Sequence, residues 1–277
     1  MHRLTYMLLL LAVVHVWQAC SAQADRVWIH SHNDYEQEKP FYEAYENRVF
    51  SIEADVFATA DGRLLVGHDR SELAEGRTLE RLYILPVVKL FEENNGRAWP
   101  NSDDRFVLLI DLKTPAARTL DHIVKLVADY PAVFDSGVNP LAVQIVISGD
   151  MPNPSAFSDY PTFISFDGRL TTDYTSDQLE RVAFFSANFR NYSSWTGEHK
   201  ISPADAKLLT DVIKGVHAKG KHIRFWATPD GEKSWETLQT LGVDIINTDR
   251  IKACVNYFET IESEKKEGAN QRLFIEQ

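Results

Sequence analysis

Eight short runs rich in β-branched and aromatic residues recur along this chain, and stretches with helical spacing separate them. They fall at 27–31, 50–57, 106–112, 142–148, 162–166, 181–186, 222–227 and 243–247. Several are almost continuously apolar, as strands covered on both faces must be. Such strands alternating with helices form a parallel sheet, and eight of them over about 250 residues close into an α/β (β/α)8 TIM barrel. An open doubly wound sheet is the alternative. No glycine-rich dinucleotide loop follows the first run, which argues against it. The clearest helix opens at Ser202-Pro203-Ala204-Asp205, with serine as N-cap, proline in the first turn and an acid at the positive end of the dipole. Its apolar positions Ala206, Leu209, Val212, Ile213 and Val216 follow a helical period, and Gly220 closes it. Residues 234–241, stopped by Gly242, and 251–267 read as two more helices. The long segment 58–105 reads as a small rim insertion between the second and third barrel strands. It holds a hairpin turned at Asp61-Gly62, a returning strand at 64–67 and a helical stretch at 78–88.

The first 22 residues read differently. His2 and Arg3 precede an apolar run at 4–16, and small residues follow around Ala19, Ser21, Ala22 and Ala24. That is the layout of a secretory signal peptide, expected to be cleaved after Ala22 or Ala24. The run is shorter than the about 20 residues a spanning helix needs. Lipid attachment at Cys20 is the alternative, and membrane contact is expected only in that case. Residues 23–277 then form one domain, expected to be an exported, periplasmic or secreted monomer. The chain of 277 residues has 40 acidic and 29 basic side chains. This acidic balance argues against a nucleic-acid partner, which is bound by clustered Lys and Arg. The two cysteines, Cys20 and Cys254, exclude a disulfide scaffold and a thiolate-ligated cluster.

In a barrel of this kind chemistry sits at the carboxyl ends of the strands. The first run ends in His30-Ser31-His32-Asn33-Asp34, the second contains Glu53-Ala54-Asp55, the hairpin delivers His68-Asp69, and the third ends in Asp111-Leu112-Lys113. Glu53 and Asp55 are two apart and share one face of a strand, while Ile52, Ala54 and Val56 point the other way. Two carboxylates on an interior strand repel and lose hydration, so a proton or a cation must compensate them. With Asp111 on the next strand, three carboxylates and no thiolate favour one hard dication, Mg²⁺ or Ca²⁺. A structural network with Lys113, Arg48 or Arg105 is the bland alternative. His32 and His68 suit the acid and base of phosphodiester cleavage, with Lys113 offsetting charge on the nonbridging oxygens.

The segments SIEADVF, DGRLLVGHD, LLIDLKT, FWATPD and GVDIINTD together resemble the glycerophosphodiester phosphodiesterase and phospholipase-C-like phosphodiesterase superfamily, from His30 to Asp249. The resemblance implies a TIM barrel and a metal-dependent phosphoric diester hydrolase acting in lipid metabolism. It implies His32 and His68 as catalytic, Glu53, Asp55 and Asp111 as metal ligands, and Lys113 as a phosphate contact. His30, Asn33 and Trp226 join Lys113 as candidate substrate-binding residues; His30 can equally take a catalytic role or orient a ligand. The chain departs from the family in HND, where Asn33 replaces an arginine, and in DLK, a carboxylate one methylene shorter than E-x-K. Both features look like the sphingomyelinase-D-type members, and the HNDY opening looks like a separate branch. The expected substrate is a small glycerophosphodiester-like or phospholipid-derived diester, cleaved by water or through a cyclic phosphate. A noncatalytic phosphate- or glycan-binding barrel is the second reading. A zinc amidohydrolase, suggested by His30-x-His32, is the third, and it lacks histidines at later strand ends.

Overall fold

A computed structural model describes residues 27–275. The signal peptide expected at 1–22, with Cys20, lies outside the described residues. Nine strands form one sheet: β1 (Trp28–Ser31), β2 (Ser51–Ala58), β3 (Leu64–Val66), β4 (Val107–Leu112), β5 (Gln144–Gly149), β6 (Ile164–Gly168), β7 (Val182–Asn188), β8 (Ile223–Trp226) and β9 (Ile245–Thr248). Eight are parallel, in the ring order β1-β9-β8-β7-β6-β5-β4-β2, and the β1–β2 pairing closes the barrel. The ninth, β3, runs antiparallel on β2. The barrel is therefore the TIM type that the recurring runs predict.

The outer wall is carried by α1 (Tyr42–Glu46), α2 (Leu85–Glu93), α3 (Ala116–Ala128), α4 (Pro131–Phe134), α5 (Ser176–Glu180), α6 (Pro203–His217), α7 (Glu232–Leu241) and α8 (Ile251–Ile275). Helix α6 starts as its sequence dictates, with Ser202 Oγ accepting the Asp205 N–H at 3.1 Å. It ends at His217, and Gly220 takes a left-handed turn (φ +67°) three residues later. Segment 58–105 supplies more than a hairpin. Its helical part begins as a π turn, Glu80–Ile84, and continues as α2, the outer helix between β2 and β4.

Strand alternation divides the apolar side chains into two cores. Ile52, Ala54 and Val56 on β2, with Leu108, Ile110, Ile145 and Ile147, face outward against the helices. Val107, Leu109, Val146, Phe184 and Ile245 face inward, and with Trp28 and Phe50 they fill the barrel floor. The Trp28 and Phe50 rings stack at 4.3 Å. A floor sealed by apolar side chains leaves the polar inward positions nearer the carboxyl ends as the upper layers of the barrel interior.

Candidate functional site

Parallel register sets the acids side by side. Asp55 on β2 pairs in register with Asp111 on β4, and Glu53 lies one inward step below. Their ligand oxygens fall within 4.8 Å of one another. Glu53 and Asp55 are buried, and the Asp111 side chain is 17% exposed. Among the described residues this is the one group of three His, Cys, Asp or Glu side chains with such spacing.

Each acid is compensated differently. Burial alone would raise the Glu53 pKa. The Arg224 guanidinium (2.9 Å) and His30 (2.7 Å), both on Oε2, overcome that and hold it well below the carboxylate range. Asp55 is pushed up to about 6 by burial and by the Glu53 charge, against the pull of Lys113. Its Oδ2 meets Tyr35 OH (2.9 Å), Lys113 Nζ (2.9 Å) and His68 Nδ1 (3.3 Å). Its Oδ1 is buried with no hydrogen-bond partner. Lys113 also reaches Asp111 at 3.0 Å. Burial opposes its charge, but Asp111 and Asp55 win and raise its pKa, so it remains a cation. An orphaned carboxylate oxygen among three converging acids is what a hard dication needs, and the all-oxygen donor set fits Mg²⁺ or Ca²⁺.

The histidines approach from two sides. His32 leaves the end of β1 toward β9: its N–H donates to Thr248 O at 3.1 Å, and Nδ1 pairs with Asp249 Oδ1 at 2.7 Å. Burial lowers its pKa, but the Asp249 contact dominates and the net shift is upward. His68 arrives from the turn after β3, where Gly67 N–H bonds Asp55 O at 3.2 Å and the His68 N–H bonds Glu72 Oε2 at 2.8 Å. Its side chain is half exposed. Asn33 occupies a left-handed conformation (φ 46°), which asparagine tolerates better than most residues. Asp34 then ties the loop down. It accepts Ser31 Oγ (2.7 Å), the Phe41 N–H (2.5 Å) and Tyr83 OH (3.1 Å), and burial pushes it up to about 6. Trp226, at the end of β8, is 38% exposed.

His30 is fully buried beneath the acids. Nδ1 accepts the Ser51 hydroxyl at 2.6 Å, Nε2 meets Glu53, and burial with the nearby Arg224 lowers its pKa to about 3. The ring is therefore neutral, holding Glu53 in orientation, and does not reach the mouth. Tyr35, two residues past Asn33, is also buried, with its hydroxyl on Asp55.

Sequence reasoning missed Arg224, which is 3% exposed and touches Glu53, His30, Ser186 (3.0 Å) and Asn247 (3.4 Å). It also missed Asp167, Arg169 and Ser148 on the far wall. A cavity of about 360 Å³ between Trp28, Phe50, Trp99 and Phe258 lies at the opposite end of the barrel, away from every one of these groups.

A family profile described as the AIM6-like phosphodiesterase domain matches residues 18–153. An "Altered inheritance of mitochondria protein 6 homolog" of Arthroderma benhamiae is 28% identical over 262 residues, covering 83% of each chain. "Altered inheritance of mitochondria protein 6" of Eremothecium gossypii is 26% identical, over 81% of this chain and 68% of that one. Among solved structures, a glycerophosphodiester phosphodiesterase from Parabacteroides distasonis matches with a TM-score of 0.56 and 15% identity. The match covers 86% of this chain and 99% of that one. A glycerophosphoryl diester phosphodiesterase from the same organism matches at 0.50 and 15%, over 87% and 89%. At that identity the structural likeness establishes a shared fold.

Proposed function

We propose that this chain, which carries an AIM6-like phosphodiesterase domain on the barrel fold of the glycerophosphodiester phosphodiesterases, is a divalent-cation-dependent phosphodiesterase. Its substrate is a small glycerophosphodiester-like or phospholipid-derived diester. The observation that carries this reading is the convergence of Glu53, Asp55 and Asp111 within 4.8 Å, with Asp55 leaning on His68 and with His32 paired to Asp249. Export is part of the proposal. It is supported by the charged, apolar and small-residue order of residues 1–22, and no helix among the described residues is long and apolar enough to cross a membrane.

Each side chain has a role that its surroundings fit. Glu53, Asp55 and Asp111 would hold one Mg²⁺ or Ca²⁺, which supplies Lewis-acid neutralisation of the nonbridging phosphate oxygens. Lys113 adds a point charge beside the same oxygens. His68 is open to solvent and takes the proton from an attacking water or neighbouring hydroxyl. His32, held toward imidazolium by Asp249, gives its proton to the leaving alkoxide. Asn33 can donate its amide to the phosphate without adding charge, and Trp226 offers an apolar face to the alcohol portion.

A panel of phosphodiesters with Mg²⁺ or Ca²⁺ tests this, repeated with His32→Ala and His68→Ala. Hydrolysis that both variants retain at the wild-type rate refutes the acid–base assignment. No hydrolysis of any member favours a binding barrel. Melting curves with and without cation, in wild type and Glu53→Gln, test the metal without a substrate. The midpoint is expected to rise with cation and the variant to lose most of that rise.

A further inference from the structure

On the wall formed by β5 and β6, polar groups gather that the proposed chemistry leaves without a task. Asp167 is completely buried. Its Oδ2 accepts the Ser148 hydroxyl at 2.9 Å, and its Oδ1 has no hydrogen-bond partner. Just past the end of β6, Arg169 reaches back over it. Nη1 lies 3.3 Å from Asp167 Oδ2, and Nη2 lies 3.2 Å from Ser148 Oγ and 3.5 Å from Gly149 O. Those contacts leave two guanidinium hydrogens, one on Nε and one on Nη1, without an acceptor among the described residues; they sit on different sides of the group, and the side chain is 32% exposed.

Gly149 links this wall to the acid cluster. A Cβ there would stand 2.6 Å from Asp111 Oδ1 and 2.5 Å from Leu112 O, and the residue has φ +71°. Asp111 and Arg169 therefore approach from two sides of a bare stretch of backbone. Lys113 flanks Asp111 toward β2, and Arg169 flanks it toward β6. A guanidinium with unused N–H groups keeps its charge and can donate a charge-assisted hydrogen bond to a phosphate oxygen.

We propose that Arg169, steadied by Asp167, Ser148 and the Gly149 carbonyl, is a substrate-binding residue that grips the phosphate across the acid cluster from Lys113. The assignment rests on the phosphodiesterase reading for the identity of its ligand. It makes an anionic phosphoryl group, rather than an uncharged ester or glycan, the feature the mouth selects.

The test titrates inorganic phosphate into the full chain with saturating Mg²⁺, and separately measures hydrolysis of bis(4-nitrophenyl) phosphate. Arg169→Gln strands the buried Asp167 charge and can unfold the chain, so Asp167→Asn/Arg169→Gln serves as its neutral counterpart and Arg169→Lys as the conservative variant. In the folded double variant, phosphate affinity is expected to fall about tenfold or more. Arg169→Lys should recover part of it, and KM for the diester should rise more than kcat falls. Phosphate binding within twofold of wild type in the double variant overturns the proposal. So does a wild type that binds no phosphate up to about 10 mM, a weak limit even for a few hydrogen bonds. The two readings separate cleanly. Arg169-dependent phosphate binding without hydrolysis of any diester keeps this site and removes the enzyme. Hydrolysis indifferent to Arg169 does the reverse.

Discussion

Arg224→Met removes the most deeply buried cation of the site and leaves its partner in place. Arg224 is 3% exposed and Glu53 5%, and the guanidinium lies 2.9 Å from Glu53 Oε2. Methionine keeps much of the volume, so the main effect is an uncompensated carboxylate among His30, Asp55 and apolar walls. Breaking a buried pair from one side typically costs about 3–5 kcal/mol. In a domain of this size that lowers the midpoint by roughly 6–20 °C. The double variant Glu53→Gln/Arg224→Met removes both charges and should recover most of the loss, because an uncharged buried pair often costs little.

The pH dependence carries the sign. With Arg224 present the Glu53 pKa is depressed in the folded state, so its stabilisation holds above the unfolded carboxylate range and is lost as pH falls. Without Arg224, burial and the Asp55 charge raise that pKa, and the folded state loses stability as pH rises through the unfolded value. The gap between wild type and variant is therefore widest at neutral pH, narrows as pH falls toward the unfolded carboxylate range, and goes on closing below it as pH falls through the depressed Glu53 value. Urea and thermal melts of the three proteins at pH 4, 5.5 and 7 measure it. A gap below about 1 kcal/mol at pH 7, or one that does not change with pH, refutes the argument that Arg224 compensates Glu53.

Four further outcomes follow from named contacts. Asp34→Asn should flatten the pH profile of stability between about 4 and 6. The wild-type carboxyl is raised to about 6, so it loses roughly 3 kcal/mol as pH rises through that window, and melts across it show whether the variant does not. Gly149→Ala, at φ +71° and against Asp111 Oδ1, should cost about 3 kcal/mol and abolish the cation-dependent rise in melting midpoint. Asp249→Asn takes away the charge that raises His32, so the limb of the pH–rate profile that His32 controls should move to lower pH. His32→Ala and His68→Ala should each lower kcat by roughly 10²- to 10⁴-fold while cation-induced stabilisation persists, which separates proton transfer from metal binding.

The barrel was legible because parallel strands buried on both faces have to be apolar almost throughout. All eight runs land within about two residues of a strand, and the Asp61-Gly62 hairpin turn stands where Gly62 takes φ +84°. The helix expected at 78–88 was harder to bound. Pro86 has no N–H to give the Leu82 carbonyl, and the chain crosses that gap through a π turn at Glu80–Ile84 before α2 continues to Glu93. A proline inside a helical pattern hides such continuity, since the same residue more often ends a helix.

The acids were legible for a related reason: two carboxylates at i and i+2 in an apolar strand have no cheap explanation. Their cationic partners were not, and the difference is one of context rather than of chemistry. Arg224 stands in the run at 222–227, where a single arginine between Ile223 and Phe225 reads as a snorkelling surface side chain. Strand parity says otherwise. Trp226, placed by its motif at the site, is two residues on and so shares the Arg224 face, while Ile223 and Phe225 pack outward in the main core. The same alternation puts Ser51 below Glu53 and Glu53 below Asp55 on the inward face of β2. An arginine that parity turns into a barrel interior must find an anion there. The nearest chemically sufficient one is an acid from another strand, which is where Glu53 stands. Carrying parity around the whole ring, rather than along the two strands that hold the acids, therefore turns a motif search into a charge count. That count names Arg224 as the counterion of Glu53 and leaves Arg169 with N–H groups that meet no acceptor among the described residues.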